Sequence, residues 1–529
     1  MAEGERVRLA ELVAALSLGI DLGFGQPMEH VLRQCIIALR LADRLHLDES
    51  ERSVVYYAAL LINVGCHSDA HEQARWFGDD IALKSGKYKP RNLRTAAALL
   101  RLIGSGNPPL HRFRVGLEFA LSGHRDLDGM IARHAGLARG LAERLGLPVP
   151  VQEAVGASYE QWDGRGWPGK LAGEAIPIEA RIAQMAEFVE VAHRIGGVEA
   201  AAALACERAG TQFDPSLAAL LSADAEEIFG DLDTAPTWDT VIESEPALGI
   251  YLSGADFDRA LIAVADFVDL KSPYTLGHAR AVADLAGETG RGLGLTEEES
   301  RTLWRAGLVH DLGRLGVSNS IWDKPGPLGV GEWERVRLHP YLTERMLHQS
   351  SVLEPLAAIA VQHRERLDGS GYPKGLPGSA ISREARILGA VDAYQSMCEL
   401  RPYRPALPAR EAARELRNEA AAGRLDGEVV DAVLAAAGHA VPRKREWPAG
   451  LTAREVDVLR LLARGLSSKE IASRLVITPK TARNHIEHIY VKIGASSRVA
   501  ASLFAIEQGL LPEQPRVGLI GSARDRVGS

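Results

Sequence analysis

Six side chains between positions 278 and 392 are of the kinds that hold divalent cations: His278, the adjacent pair His310 and Asp311, then His339, His363 and Asp392. Imidazole nitrogen and carboxylate oxygen together suit iron, manganese or zinc, and one carboxylate can bridge two ions. Ions held this way act as Lewis acids, so the chemistry open to this set is that of a bound divalent metal. His310 and Asp311 end the apolar run Leu303-Trp304-Arg305-Ala306-Gly307-Leu308-Val309. Burying their polar atoms costs on the order of several kcal/mol unless they are paired or bind an ion. His278, Val282 and Leu285 share one helical face, which turns this imidazole the same way as core residues.

Groups so far apart in sequence need a scaffold to bring them together, and the periodicity on both sides of position 240 is helical, with apolar residues at threes and fours. The scaffold is duplicated. Glu160-Gln161-Trp162-Asp163-Gly164-Arg165-Gly166-Trp167-Pro168 matches Glu365-Arg366-Leu367-Asp368-Gly369-Ser370-Gly371-Tyr372-Pro373. His134 precedes Ser158 by the 24 residues that separate His339 from His363, and Glu187 follows Asp163 as Asp392 follows Asp368. In the first copy Asn63-Val64 is expected at the place of His310-Asp311, and Ser158-Tyr159 at that of His363-Arg364. Only His30 and His134 persist there, too few to close an ion site. The local cluster Cys66-His67-Ser68-Asp69-Ala70-His71-Glu72 reads as a polar loop.

The 529 residues are too many for one hydrophobic core. Expected divisions are a degenerate helical copy at 1–222, an acidic linker at 223–255, the ligand-bearing copy at 256–440, a linker at 441–449, a small bundle at 450–512 and a disordered tail at 513–529. No apolar run approaches the roughly 18 residues of a membrane helix, and no secretory signal is expected. Four cysteines without a CxxC pair fit a reducing cytoplasm. The net charge of −8 excludes a uniformly basic nucleic-acid coat. It leaves room for one small basic unit.

That unit lies at the C-terminus, where nine basic side chains stand against five acidic ones between Leu451 and Leu511. Thr452 with Glu455 forms a capping box, Gly465 stops the first helix, and Pro479 suits the first turn of a third. Two short helices joined by a tight turn, the second with polar residues outward, form a helix-turn-helix.

The second copy resembles the HD-GYP phosphodiesterases, a branch of the HD metal-dependent phosphohydrolases. The resemblance rests on Tyr274-Thr275-Leu276-Gly277-His278, His310-Asp311-Leu312-Gly313-Arg314, Lys324-Pro325-Gly326, His339-Pro340, His363-Arg364-Glu365, the Asp368 to Pro373 loop, Val391-Asp392-Ala393 and Arg401-Pro402-Tyr403-Arg404. It implies helical folds and hydrolysis of cyclic di-GMP with a two- or three-metal centre; for this chain one or two divalent ions, iron or manganese, are expected. By carry-over, His278, His310, Asp311 and Asp392 would hold one ion, and Asp311, His339 and His363 the other. His310, Asp311 and Arg314 would be catalytic, Arg401 and Arg404 would grip the dinucleotide, and Gly371, Tyr372 and Pro373 would shape the pocket rim. Two departures stand out. Arg364 replaces a family histidine, which leaves the second ion short of one ligand, and Arg314 replaces a lysine.

The C-terminal unit resembles the LuxR-type helix-turn-helix, on Thr452-x-Arg454-Glu455, Lys469-Glu470-Ile471-Ala472, Thr481-x-Arg483-x-His485, Ile489-Tyr490-x-Lys492 and Ser497-Arg498. The resemblance puts Lys480, Thr481, Arg483, Asn484 and Glu487 on the recognition helix and makes Lys469, Lys492 and Arg498 phosphate contacts. The expectation is an all-α chain, two HD-type bundles in tandem plus this small bundle. It would be a cytoplasmic, dimeric transcription regulator that binds promoter DNA and senses or hydrolyses a nucleotide such as cyclic di-GMP. The competing expectations are an active cyclic di-GMP phosphodiesterase with an accessory DNA-binding unit, and a non-catalytic oligomerisation scaffold.

Overall fold

The computed structural model describes residues 7–88, 101–104, 109–119, 124–246, 249–440, 447–475 and 477–510. Val476 and the expected tail at 513–529 lie outside them. The chain divides into two compact units, Met1–Ala440 and Val441–Ser529. Both are helical, as the all-α expectation requires. Among the described residues the strands are a single antiparallel pair, Val7–Arg8 with Tyr251–Leu252. No single described helix is long and apolar enough to cross a membrane.

Within the first unit the duplication is visible element by element. Helices His30–Arg44 and Glu49–Leu61 of the first copy correspond to His278–Gly292 and Glu297–Val309 of the second. Glu49–Leu61 opens on a capping box of Asp48 with Glu51, and Glu297–Val309 on one of Thr296 with Glu299. The repeated loops are held alike. Buried Glu160 accepts the backbone N–H groups of Gly169 and Lys170, and buried Glu365 those of Lys374 and Leu376. A buried carboxylate must be hydrogen-bonded, which explains why this loop survives in the copy that lost the ligands.

Helix Leu9–Gly23 buries Leu9, Leu12, Val13, Leu16 and Leu18, leaving it apolar on nearly every side. Such a helix belongs inside a core, and this one runs between the copies, against the 3-10 turn Leu312–Gly316 and helix His339–Leu347. At Gly19 an added Cβ would sit 2.4 Å from the Met346 Cε and 2.9 Å from the Leu315 Cδ1. Polar groups cross the same boundary. Asp80 of the first copy accepts the Ser318 hydroxyl at 2.7 Å and the Asn319 N–H at 2.9 Å, with Lys84 Nζ at 3.2 Å and Lys271 Nζ at 3.6 Å. Burial alone would raise the Asp80 carboxyl; Lys271 and Lys84 hold it down to about 2.

His67 lies at this boundary too, its Nε2 donating to the Phe267 carbonyl at 2.8 Å. Burial, helped by Lys271 and Lys84, pushes its pKa down to about 3. The folded value is therefore below the unfolded one, near 6.5, so stability is complete above that pH and is lost as pH falls towards 3. By pH 4.5 the loss from this group is about 2–3 kcal/mol. A His67→Gln variant should therefore show a smaller drop in melting temperature between pH 7.5 and 4.5 than wild type. Equal drops would show that His67 is not the acid-sensitive group.

Within the stretch expected as an acidic linker, Ala225–Phe229 and Thr237–Glu243 are helices that lie against His30–Arg44. Its acids pair with that helix: Asp233 with Arg33 at 2.6 Å, Asp231 with Arg40 at 2.5 Å, and Glu227 with Arg44. Like charges crowded in sequence are thus neutralised by arginines spaced along one helical face.

The second unit contains helices Ala453–Ala463, Ser468–Leu475, Pro479–Ile493 and Arg498–Glu507 around Val456, Leu459, Leu462, Ile471, Ala482, Ile489, Ala501 and Ala505. Thr452 and Glu455 form the expected capping box, and Thr478 caps the helix that starts at Pro479.

Candidate metal centre and recognition helix

Each ligand is placed by a helix end or by a close approach of two backbones. His278 begins its helix after Gly277, whose φ of +76° turns the chain in a way that favours glycine. His310 caps the end of Glu297–Val309, and Asp311 follows it into the 3-10 turn. At Gly313 a Cβ would lie 2.0 Å from the His339 carbonyl oxygen, so glycine is what lets His339 come close to the His-Asp pair. Gly389 does the same for His363, whose carbonyl oxygen would stand 2.6 Å from an added Cβ. One turn later the same helix, Arg383–Cys398, carries Asp392.

All six side chains converge. His310, His339 and His363 each donate Nδ1–H to a backbone carbonyl, of Gly307, Val336 and Ala360, at 2.7, 2.6 and 2.6 Å. That fixes the tautomer and turns the Nε2 lone pairs inward. His278 Nε2 lies 3.4 Å from the Asp392 Oδ1 and 4.0 Å from the Asp311 Oδ2, and His310 Nε2 lies 3.6 Å from the Asp311 Oδ2. On the other side the Asp311 Oδ1 is 3.4 Å from His339 Nε2 and 3.8 Å from His363 Nε2. Two groups of cation-binding geometry result, His278–His310–Asp311 and Asp311–His339–His363, sharing Asp311. Among the described residues His310 Nε2 and the Asp311 Oδ1 are buried without a hydrogen-bond partner, which is costly unless a cation supplies one. The residues present fit a divalent metal.

The electrostatics agree. Burial would raise the Asp311 carboxyl, but His310, Arg314 and His339 hold it well below the usual carboxylate range. Burial opposes a charge on His278, while Asp392 and Glu399 raise its pKa to about 9. A cation there must displace that proton. Glu399, 2.9 Å from the His278 Nδ1, escaped the sequence reading. Its signal was an acid placed between Asp392 and Arg401.

The centre opens into a cavity of about 670 Å³, walled by Tyr274, Trp322, Trp333, Tyr372 and Tyr403 together with Arg314, Lys324, Arg364 and Arg401. Arg314 bonds the Asp311 Oδ2 at 2.9 Å and lies 4.1 Å over the Trp322 ring. Arg401 reaches the wall while bonded to the Tyr274 carbonyl and Glu399. Arg404 is placed differently from the reading. Its guanidinium binds the Ser396 and Met397 carbonyls, at 2.5 and 3.1 Å, and is not part of the wall. Of Gly371, Tyr372 and Pro373, only Tyr372 reaches the cavity. At Gly371 a Cβ would meet the Arg366 nitrogen at 2.3 Å, a close backbone approach within the loop.

Arg364 is also turned differently. Its Nη1 lies 3.1 Å from the Asp392 Oδ2, so the guanidinium pairs with the carboxylate that His278 also faces.

In the first copy the structure corrects the register by one residue. Helix Glu49–Leu61 ends at Ile62 as Glu297–Val309 ends at His310, and Gly65 meets the His134 carbonyl oxygen as Gly313 meets that of His339. Ile62 therefore stands for His310 and Asn63 for Asp311, not Asn63 and Val64. Lys87 reaches into this place from an inserted segment. Its Nζ lies 2.7 Å from the Glu187 Oε1 and 3.2 Å from the Asn63 Oδ1. The side chains of the Cys66–Glu72 cluster diverge: Cys66 to Tyr159, His67 to Phe267, Asp69 to His134 and His71 to Asp323.

In the second unit Lys480, Arg483, Asn484 and Glu487 are exposed along helix Pro479–Ile493, with Thr481 half-buried and Lys469 exposed on the preceding helix. Two expected phosphate contacts are tied down inside the unit. Lys492 Nζ is 2.7 Å from Glu455, and Arg498 binds the Leu462 and Leu466 carbonyls.

A helical bundle whose ligand set closes on an adjacent His-Asp pair is an HD domain, and the chain matches the HD domain family over residues 89–217 and 263–429. It belongs to that family, whose phosphodiesterases are metal-dependent. Residues 449–505 match the luxR family of bacterial regulatory proteins.

Its relatives are HD-GYP phosphodiesterases. The 3′3′-cGAMP-specific phosphodiesterase 3 of Vibrio cholerae serotype O1 is 32% identical over 406 residues, 76% of this chain and 88% of its own. The cyclic di-GMP phosphodiesterase response regulator RpfG of Xanthomonas campestris pv. campestris is 36% identical over 179 residues, 33% of this chain and 47% of its own. The crystal structure of a cyclic GMP-AMP specific phosphodiesterase of V. cholerae superposes with a TM-score of 0.58 at 28% identity, covering 82% of this chain and 98% of that one.

Proposed function

We propose that the chain is a DNA-binding regulator whose second HD copy binds and hydrolyses a purine cyclic dinucleotide. 3′3′-cGAMP is the first candidate and cyclic di-GMP the second. The observation that carries this reading is the convergence of six ligand-type side chains beside a cavity that His339 lines together with aromatics and guanidinium groups. Aromatic walls stack on bases, and guanidinium forks match phosphate oxygens. His278, His310, Asp311 and Asp392, with His339 and His363, would hold the ion or ions, iron or manganese. A bound ion supplies an acidified water and neutralises phosphate charge. The chain's own part is orientation. Arg314 and Arg401 fix the phosphates, Tyr372 and Trp322 close the wall, and the Nδ1–carbonyl bonds keep the imidazoles in register.

Purified protein loaded with Mn²⁺ or Fe²⁺ and mixed with each dinucleotide tests this by chromatography of the products. Linear dinucleotide is the expected result. Binding without cleavage would make the copy a sensor, and indifference to both nucleotides would favour the scaffold.

The DNA half rests on the exposed strip Lys480–Arg483–Asn484–Glu487, read as the face of a two-fold dimer on promoter DNA. Arg483→Ala is expected to weaken operator binding about tenfold or more and relax its sequence preference. Lys480→Ala should weaken binding to all sequences and reduce the salt slope by about one. Fluorescence anisotropy at several salt concentrations distinguishes the two. Unchanged affinity in both variants would move the DNA face elsewhere.

A further inference from the structure

In both copies the carboxylate 24 residues after the loop aspartate is met by a cation of the protein itself. In the first copy Lys87 lies 2.7 Å from Glu187, and in the second Arg364 lies 3.1 Å from Asp392. The first copy has no imidazole or carboxylate left at Ile62 and Asn63, so Lys87 is the cation of that site. The second copy retains its imidazoles. There Arg364 engages only the Asp392 side of the cluster, leaving Asp311, His339 and His363 without a guanidinium contact except that of Arg314 on Asp311. Among the described residues Arg364 Nε is buried with no hydrogen-bond partner, and the side chain lines the cavity. It is thus anchored on one carboxylate and has donor capacity unused within the protein. Arginine cannot give up its proton to become a ligand, so its presence at this point works against an ion on Asp392.

We propose that Arg364 is a built-in cation of the second copy: it replaces one metal ion on Asp392, leaves a single ion on Asp311, His339 and His363, and offers its remaining N–H groups to a substrate phosphate. This rests on the metal-centre reading above and extends it to ion number and phosphate recognition. A guanidinium suits that place because it is permanently charged and its planar fork pairs with two oxyanions at once, here a carboxylate and a phosphate. The two copies then reach a protein-borne cation by different routes, Lys87 from the inserted segment and Arg364 from the position that Tyr159 takes in the first copy.

The test is metal counting on the full chain. Elemental analysis after Mn²⁺ loading and desalting should give one ion per chain for wild type and about two for Arg364→His. Paramagnetic resonance should change from an isolated-ion spectrum to an exchange-coupled one. Two ions in wild type, or one in folded Arg364→His, would overturn the proposal while leaving the metal centre intact. No ion in either protein would overturn the metal-centre reading itself. Should Arg364→His not fold, Arg364→Gln decides. Inorganic phosphate is expected to bind Mn²⁺-loaded Arg364→Gln about tenfold more weakly than wild type, a loss in the range of one charge-assisted hydrogen bond. Equal phosphate affinity would overturn the role of Arg364.

Discussion

Asp311→Ala is expected to empty the metal centre and to lower phosphodiester cleavage by about a thousandfold or more. Asp311 is the one residue common to both ligand groups, with Oδ2 facing His278 and His310 and Oδ1 facing His339 and His363. Without it the remaining ligands are imidazoles and Asp392, whose carboxylate Arg364 already engages. Imidazoles around a buried arginine, with the one remaining carboxylate already paired, make a poor cation site, so ion and activity should go together. A thousandfold loss corresponds to about 4 kcal/mol of transition-state stabilisation, a modest demand on metal-ion catalysis. A second readout does not depend on turnover. An ion that binds only the folded state raises the melting temperature, so a chelator should lower it for wild type and leave it unchanged for the variant. A variant that keeps its ion, or turns over within tenfold of wild type, would remove Asp311 from the centre.

The largest expected effect on stability comes from Asp80→Ala. Asp80 is fully buried at the boundary between the copies and is the counter-charge to two buried ammonium groups, Lys84 and Lys271. Removing one partner of a buried pair leaves an uncompensated charge and costs about 3–5 kcal/mol. The Ser318 hydroxyl and the Asn319 N–H lose their acceptor at the same time. Urea unfolding should show this loss, and added salt should not restore it, because mobile ions screen buried charges poorly. The effect should reach the cavity beside the metal-ligand cluster too. Asn319 bonds Asp323, which lines the cavity beside Trp322 and also receives His71 of the first copy. A loss below about 1 kcal/mol would mean that water reaches Lys271 in the variant.

The ligand set was legible because metal chemistry restricts residue type, and a histidine or aspartate at a repeated spacing stands out against an apolar helical background. The duplication was legible for the same reason, through the Asp163 and Asp368 loops. The register at Asn63 was not. A one-residue shift left the chemistry equally absent, and only the clash that a Cβ at Gly65 or Gly313 would make with the facing carbonyl fixes it. Glu399 and Lys87 carry no periodic signal and acquire meaning only from the partner across the bundle. Arg404, Lys492 and Arg498 show the converse: a basic side chain at a motif position can be taken up by carbonyls or a carboxylate of its own unit before any ligand arrives.

The amino-acid sequence by itself determined the helical class, the tandem copies, the six candidate ligands and the C-terminal helix-turn-helix. The helical class and the helix-turn-helix follow from local periodicity and capping, and the copies and ligands from residue types repeated at fixed spacing. The tertiary structure decided which cation meets which carboxylate. It turned Arg364 onto Asp392, brought Lys87 to Glu187, and placed Asp80 of one copy between lysines of both. Charges distant in sequence are matched only when helices close on one another, because a buried charge must find its partner wherever the packing of the core permits.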